Sequence, residues 1–356
     1  MVKGQETPFM NLSEIQDALI HPQKTIEEPR AQKKTKIRTP ILTRFIRTTR
    51  ADVLFNLFFT FLMGIECLLF LLFFTFLIES AILAINLGVI FATGFTYFIL
   101  RLHRQAQKPE KLLTICQSFE EEFNRNSEYQ PGCAEYHIAL ANGYARMANA
   151  LHGKEYRYYT APKLLSFLNP KMAKFSHWFH WYDVHKMKEL LLLRAVDEYI
   201  KLIKTEPTNL EFHAALANAY VMLSGLYQVP AKEGDILWSL IVPMTEILQT
   251  KFTQASEKAI EEFKILNEYS PNDPWVHQQL AYSYHDLQMP EKEIVEYENL
   301  LSLLPDDDEI LYKLGTLYFQ EGENAKGLAI YESLRERDPV KALALVQYYG
   351  GSLLQN

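Results

Sequence analysis

The sequence is poor in the residues and motifs on which disulfide-rich proteins and most enzymes depend. Its 356 residues include three cysteines, an odd number with no Cys-x-x-Cys pair. A disulfide framework is therefore not expected, and a thiolate metal site would have too few ligands. The sequence contains no phosphate-binding Gly-x-x-x-x-Gly-Lys-Ser/Thr loop, no Gly-x-Ser-x-Gly and no dinucleotide-binding glycine pattern. We predict that the chain is not an enzyme, needs no cofactor and has no small-molecule substrate.

Acidic residues are in the minority in the first third of the chain, and basic residues are in the minority in the rest. Residues 1–111 hold 14 Lys and Arg against 9 Asp and Glu, whereas residues 112–356 hold 22 against 34. A chain that is basic in one third and acidic in the rest contains at least two physically different parts. Its beginning lacks the continuous apolar run of a cleavable signal peptide, so we expect any membrane signal to remain in the mature protein.

Two apolar runs provide such a signal. Val53–Ile78 has one charged residue in 26, and Ala81–Leu100 has none in 20. About 20 apolar residues cross the ~30 Å hydrocarbon layer as a helix. The absence of a polar face argues against a pair of core helices in a soluble protein. We predict a transmembrane helical hairpin at residues 51–102, with its tight turn at Glu79 and Ser80.

Polar residues inside the hairpin are candidates for a special role. An ionisable residue such as Glu66 is costly within a membrane and is by default a functional hypothesis. If the hairpin pivots at residues 79–80, Glu66 lies opposite Thr93. We expect a protonated Glu66 that hydrogen-bonds across the hairpin or to a second copy of the chain.

Basic residues flank both outer ends of the hairpin, whereas the connector has none. Positive charge remains cytoplasmic, so both termini are predicted to be cytoplasmic, in a bacterial inner membrane. Residues 1–50 are predicted to be a basic and mostly flexible segment. Residues 32–50 could instead bind nucleic acid, but their position beside a transmembrane helix favours the topological role. The flanking residues are Lys24, Arg30, Lys33, Lys34, Lys36, Arg38, Arg44, Arg47, Arg50, Arg101, Arg104, Lys108 and Lys111.

The remaining chain repeats one pattern four times, in which a small residue follows a leucine and a tyrosine comes three positions later. A second pattern follows each first one and ends in proline. Both patterns return after 34 residues in the last two units. The first comprises Leu140, Ala141 and Tyr144; Leu216, Ala217 and Tyr220; Leu280, Ala281 and Tyr284; and Leu314, Gly315 and Tyr318. The second comprises Ala195, Tyr199, Leu202 and Pro207; Ala259, Phe263, Leu266 and Pro271; Glu293, Tyr297, Leu300 and Pro305; and Gly327, Tyr331, Leu334 and Pro339.

These positions resemble the tetratricopeptide repeat (TPR) family, whose unit is two antiparallel helices. The resemblance implies an all-α chain with a TPR-like α-solenoid at residues 103–354. The first two units are longer than the last two, which places insertions at about residues 146–183 and 222–248. Residues 109–129 resemble a lone second helix, and residues 341–354 are predicted to cap the array. Glu293 stands where a small residue is expected.

The family resemblance also implies candidate binding residues, because the first helices of TPR units line a concave groove that takes a peptide or a partner helix. Asn142 and Asn218 share one register, and a carboxamide can pair with the backbone of an extended ligand. The alternative is that both are ordinary solvated residues. The candidates are Asn142, Arg146, Asn218, Trp275, Gln278, Tyr282, His285, Tyr312, Lys313 and Phe319.

The first insertion is rich in aromatic residues and has no acidic residue from Tyr156 to Tyr182. Aromatic residues mixed with basic ones suit a headgroup interface. We predict that it rests on the bilayer; the alternative is that its aromatic rings pack back onto the array. The residues predicted to contact the membrane are Trp178, Trp181, Lys171 and Lys174.

The favoured function is a membrane-anchored adaptor whose groove recruits an unknown protein or peptide. One alternative is an inclusion-membrane protein of an intracellular bacterium, suggested by the two close hydrophobic lobes, with the array facing the host cytosol. A second is a metal-dependent hydrolase built on the insertions. His177, His180 and Asp183 share a helical face there, but they match no zinc signature.

Overall fold

A computed structural model of the chain describes residues 38–77, 81–127, 129–159, 166–167, 169–228 and 238–349. Within these ranges the chain is helical and contains no β-strand, which confirms the predicted all-α class. The residues before 38, the predicted hairpin turn at Glu79 and Ser80, and the end of the predicted capping helix after residue 349 lie outside the described residues.

The two apolar runs form the long helices α1 (Arg38–Leu77) and α2 (Ala81–Ala106). The stretches Leu42–Phe74 and Leu83–Asn126 each contain a window that is long and apolar enough to cross a membrane, and neither window is buried within the protein. The chain therefore carries two helices that could span a bilayer.

Helix α1 begins earlier than the sequence suggested. The predicted flexible segment reached residue 50, but the chain is helical from Arg38. Phe45 and Thr49 are 2% and 3% exposed, so this end of α1 packs against other parts of the protein. Burial of these two side chains stabilises the first turns of α1, an effect that the composition of the segment does not reveal.

The rest of the chain forms further helices, each of which packs against its neighbours in chain order. They are α3 (Lys108–Asn126), α4 (Ala134–Ala150), a short 3₁₀ helix (Lys154–Tyr156), α5 (Asn169–Thr205), α6 (Leu210–Tyr227), α7 (Trp238–Tyr269), α8 (Pro274–Asp286), α9 (Pro290–Leu303), α10 (Asp308–Gln320), α11 (Asn324–Arg337) and α12 (Pro339–Val346). The first repeat pattern lies on α4, α6, α8 and α10. The second lies on α5, α7, α9 and α11, except for its proline, which follows the end of each helix.

Side-chain caps fix where the first helices begin. The carboxamide of Asn209 and the carboxylates of Asp273 and Asp307 each accept a hydrogen bond from a backbone N–H in the first turn of the helix that follows. Such caps satisfy N–H groups that have no partner within the helix.

Both predicted insertions are largely helical where they are described. Helices α5 and α7 have 37 and 32 residues, whereas α9 and α11 have 14 each. The extra residues therefore lengthen the second helices of the first two pairs. Residues 160–165 and 229–237, which belong to the insertions, lie outside the described residues.

The last helix pair packs closely around two glycines. A Cβ atom on Gly327 would lie 2.5 Å from Cε1 of Phe319, and one on Gly315 would lie 2.7 Å from Cδ2 of Leu345. Phe319 is fully buried in a cluster with Leu334 and its neighbours. The prediction that Phe319 binds a partner is therefore wrong, because its ring fills the space between α10 and α11 that Gly327 leaves open.

Candidate functional site

The remaining partner-binding candidates lie on the first helices, and most of them reach the surface. Asn142, Arg146, Gln278 and His285 are exposed; Asn218, Trp275, Tyr282, Tyr312 and Lys313 are half-buried. Trp275 is partly used in the core, since its ring lies edge-on to that of Phe263 at 5.8 Å.

The two asparagines have different surroundings although they share a register. The Oδ1 atom of Asn142 accepts a hydrogen bond of 3.0 Å from the hydroxyl of Tyr199. The residue that matches Tyr199 in the next pair is Phe263, which has no hydroxyl. Asn142 is thus held in place by the protein, whereas this contact has no equivalent at Asn218.

Helices α8 and α10 bring several candidates together. The ammonium group of Lys313 lies 5.2 Å from the ring centroid of Tyr282, a cation–π distance. Gln278 Nε2 donates to the Tyr282 hydroxyl at 2.9 Å. This cluster of Gln278, Tyr282 and Lys313 joins an amide, a phenol and a cation from two neighbouring helix pairs.

Glu293, which replaces the small residue of the pattern, is accommodated by His285. The carboxylate is buried, and its Oε2 atom lies 3.1 Å from Nδ1 of His285. The hydrogen bond with Glu293 raises the pKa of His285 above its ordinary value, in spite of the opposing effect of burial. His285, which the sequence predicted to contact a ligand, therefore has a partner within the protein itself.

A second histidine position recurs in three successive helix pairs. His137, His213 and His277 lie three residues before the repeated leucine of the first helix. Each Nδ1 atom meets a glutamate of the second helix, at 2.6, 2.5 and 2.6 Å. The glutamates are Glu198, Glu262 and Glu296, each directly before the repeated aromatic residue.

The preceding proline supplies the other acceptor. Nε2 of His213 and of His277 lies 2.9 Å from the carbonyl oxygen of Pro207 and of Pro271, respectively. A carbonyl oxygen and an ionised carboxylate can only accept, so the ring of His213 donates from both of its nitrogens to them. Burial lowers the pKa of His213, but the hydrogen bonds to Glu262 and Pro207 outweigh it and the pKa is raised.

The fourth pair replaces this arrangement with apolar side chains. Leu311 occupies the histidine position and Ile330 the glutamate position, and the two pack in one cluster. The carbonyl oxygen of Pro305, which matches Pro207 and Pro271, accepts a hydrogen bond of 3.0 Å from Arg337 instead.

The hairpin meets the aromatic insertion at a hydrogen-bonded contact. The Tyr97 hydroxyl donates to Asn56 Oδ1 at 3.2 Å, and Asn56 Nδ2 donates to the Tyr159 hydroxyl at 3.4 Å. The Arg101 guanidinium donates to Tyr97 and lies 5.3 Å from the ring centroid of Phe179.

An ionic network continues this contact toward α3. Asp52 accepts from Arg104 at 2.7 Å and lies 3.2 Å from Lys108, which in turn lies 2.6 Å from Asp183 on α5. Burial alone would raise the pKa of Asp183, but the adjacent His180 and Lys108 lower it. We call the contacts of α1 and α2 with residues 159–183 the hairpin junction.

The tryptophans predicted to contact the membrane are half-buried against other side chains. The Trp178 ring lies 4.4 Å from that of Phe179, and Trp181 stacks on His185 at 4.7 Å. Lys171 and Lys174 are exposed, as are Phe167 and Phe175, at 72% and 45%. The exposed aromatic surface of the insertion thus comes from phenylalanines and tyrosines, including Tyr156 and Tyr182, and less from the tryptophans.

Within the hairpin, Thr93 Oγ1 donates to Glu66 Oε1 at 2.9 Å. This is the pairing that a pivot at residues 79–80 predicts.

The histidines of the insertion face aromatic rings. His177 stacks on Tyr156 at 4.3 Å, and His180 lies 4.7 Å from the Tyr158 ring. In the described part of the chain, no three His, Cys, Asp or Glu side chains are placed so that they could hold a metal ion.

No protein-family model and no curated protein sequence matches this chain.

Sequence reasoning missed the histidine–glutamate pairs and the hairpin junction. The former had a usable signal, since a histidine stands six residues after a proline and three before the repeated leucine in three units. The latter had none, because Asn56 and Tyr159 are 103 residues apart and follow no common pattern.

Proposed function

We propose that the protein is a membrane-anchored adaptor. Its hairpin spans a membrane, proposed to be a bacterial inner membrane, with both termini on the cytoplasmic side. Its helix pairs form a TPR-like solenoid whose first helices bind a protein or peptide partner.

The recurring histidine–glutamate pairs support the solenoid. In three successive helix pairs a histidine contacts a glutamate at the same repeat positions, which is expected when each unit repeats one packing arrangement with its neighbours. Buried ion pairs are directional and fix the register of the helices that they join.

The cluster of Gln278, Tyr282 and Lys313 is the single observation that carries the binding function. Its three side chains offer hydrogen-bond donors, an aromatic face and a positive charge on one surface. Tyrosine and cationic side chains are typical of contacts that dominate binding energy. The cluster suits a peptide with an acidic or carbonyl-rich stretch.

Photo-crosslinking tests this assignment in the full chain within its native membrane. A photoreactive residue at Gln278 should yield a defined crosslinked partner, and the Lys313→Glu change should reduce the yield severalfold. Lys258, exposed on the second helix α7, provides a matched position that should yield little product. Equal products from Gln278 and Lys258, or no product from Gln278, would contradict the proposal.

We further propose that the aromatic insertion rests on the bilayer beside the hairpin. Phe175 lies 5.2 Å, ring to ring, from Tyr159, whose hydroxyl contacts Asn56 at the end of the apolar run. Exposed Phe167, Lys171 and Lys174 belong to the same segment, a combination suited to an interface between lipid and water.

Quenching by brominated lipids in nanodiscs tests this second proposal. A fluorophore attached at Phe167→Cys should be quenched more strongly than one at Val295→Cys, an apolar residue on α9 that is 50% exposed. Equal quenching at the two positions would remove the insertion from the membrane surface.

A further inference from the structure

A cleft of about 300 Å³ lies beside the hairpin junction, between α1 and the start of α3. Its polar lining comprises Arg47, Thr48, Asp52, Arg104, Lys108 and Lys111. Four basic side chains therefore surround one carboxylate.

The carboxylate does not neutralise all of these cations. Asp52 is engaged by Arg104 and Lys108, and Lys108 also pairs with Asp183. Arg47 and Lys111 are exposed and make no ion pair with any residue that the structure describes. Among the described residues, Arg47 and Lys111 therefore have no ionic partner, whereas Arg104 and Lys108 are held in fixed positions by the network.

The cleft also lies at a defined distance beyond the apolar run. Arg101 ends that run on α2, and Arg104 and Lys108 follow it by three and seven residues. At 1.5 Å per residue, these residues lie roughly 4 to 10 Å farther along the chain. Each headgroup layer of a bilayer is roughly 5 to 7 Å thick, so the cleft opens at the depth of lipid phosphates.

We propose that this cleft binds the phosphate group of an anionic phospholipid. This inference rests on the proposed membrane-spanning hairpin. Arg47 and Arg104 offer guanidinium donors that match phosphate oxygens, and Lys108 and Lys111 add point charges. A bound headgroup would neutralise the two free cations and connect α1 to α3 through a lipid.

Native mass spectrometry of the full chain in a neutral detergent tests the proposal. Phosphatidic acid and phosphatidylglycerol should form discrete adducts, whereas phosphatidylcholine should bind much more weakly. The double change Arg47→Gln and Lys111→Gln should weaken the anionic adducts roughly tenfold or more. The charge-preserving variant Arg47→Lys with Lys111→Arg should retain them, and it also reports on correct folding.

Arg44→Gln with Arg50→Gln is the matched control. It removes two charges from exposed positions of α1 that do not line the cleft, and it should change adduct formation less than twofold. An equal loss in this control would overturn the proposal, as would equal binding of all three lipids.

Two further measurements separate the remaining possibilities. If inorganic phosphate binds as well as phosphatidic acid, the ligand is free phosphate and the lipid assignment is wrong. Resistance of the chain to carbonate extraction from membranes reports on the hairpin independently. A chain that resists extraction but forms no anionic adducts would refute the cleft proposal alone.

Discussion

The third and fourth helix pairs stabilise one repeat position by opposite means. In the third, the buried His277 ring contacts Glu296 at 2.6 Å and the Pro271 carbonyl at 2.9 Å. In the fourth, apolar Leu311 and Ile330 occupy these positions, and the Pro305 carbonyl accepts a hydrogen bond from Arg337. The helices have the same lengths in the two pairs, 13 and 14 residues, whereas the side chains that stabilise this position differ. The stability of the third pair should therefore fall when a polar partner is removed, and that of the fourth when buried volume is removed.

The largest expected effect is a loss of volume in the fourth pair. Phe319→Ala should destabilise α10 and α11 by about 3 to 5 kcal/mol, because it removes a fully buried ring and leaves a cavity against Gly327. Amide hydrogen exchange measured by mass spectrometry should show faster exchange in these helices. If hydrogen exchange became equally faster in α8 and α9, the change would destabilise the third pair as well, and the contrast between the two pairs would be contradicted.

A smaller effect is expected when the polar pair is broken. His277→Leu should cost about 3 kcal/mol, because Glu296 and the Pro271 carbonyl lose their donor in a buried setting. Adding Glu296→Ile, which copies the fourth pair, should restore part of this loss. Recovery should be incomplete, since Pro271 still lacks a donor equivalent to Arg337. Chemical unfolding in detergent measures the three stabilities, and a double variant less stable than the single one would contradict the comparison.

The two asparagines extend the comparison to the first and second pairs. Asn142→Ala should cost about 1 kcal/mol, because the buried Tyr199 hydroxyl loses its acceptor. Asn218→Ala should change stability by less than about 0.5 kcal/mol, because Phe263 stands in this pair where the first pair has Tyr199. The same unfolding measurement applies. Equal losses would show that the Tyr199 contact does not distinguish the two sites.

The smallest effect is the pH dependence of the second pair. The folded state raises the pKa of His213, so its stabilisation is complete below the ordinary histidine pKa of about 6.5 and is lost as pH rises through the raised value. Exchange in α6 and α7 should therefore become faster, relative to intrinsic rates, above that pH. In a His213→Leu variant this dependence should vanish, and its persistence would assign it to another group.

Local patterns in the sequence predicted much of the helical organisation. The apolar runs indicated α1 and α2, and the spacing of leucine, tyrosine and proline indicated the order of the helix pairs. The opposition of Glu66 and Thr93 followed from counting residues on either side of an assumed turn. These features depend on local periodicity, which a sequence displays directly.

The features that escaped prediction depend on contacts between distant residues or on competition for one surface. Phe319 was assigned to a binding face, although Gly327 on the next helix leaves space for its ring. Trp178 was assigned to the membrane by composition, but it is half-buried and its ring packs against that of Phe179. His285 was assigned to the groove from its position on a first helix, and its contact with Glu293 on the next helix follows no local pattern. For Phe319 and His285 the deciding neighbour lies on another helix.

Helix α5 connects the hairpin junction to the first helix pair as one continuous helix. The same 37-residue rod carries Phe179 and Asp183 at the hairpin junction and Glu198 in the first histidine–glutamate pair. The 19 residues from Phe179 to Glu198 span roughly 28 Å of stiff helix. If the hairpin spans a bilayer, as proposed, a change in its tilt would be transmitted through this rigid helix to the first helix pair.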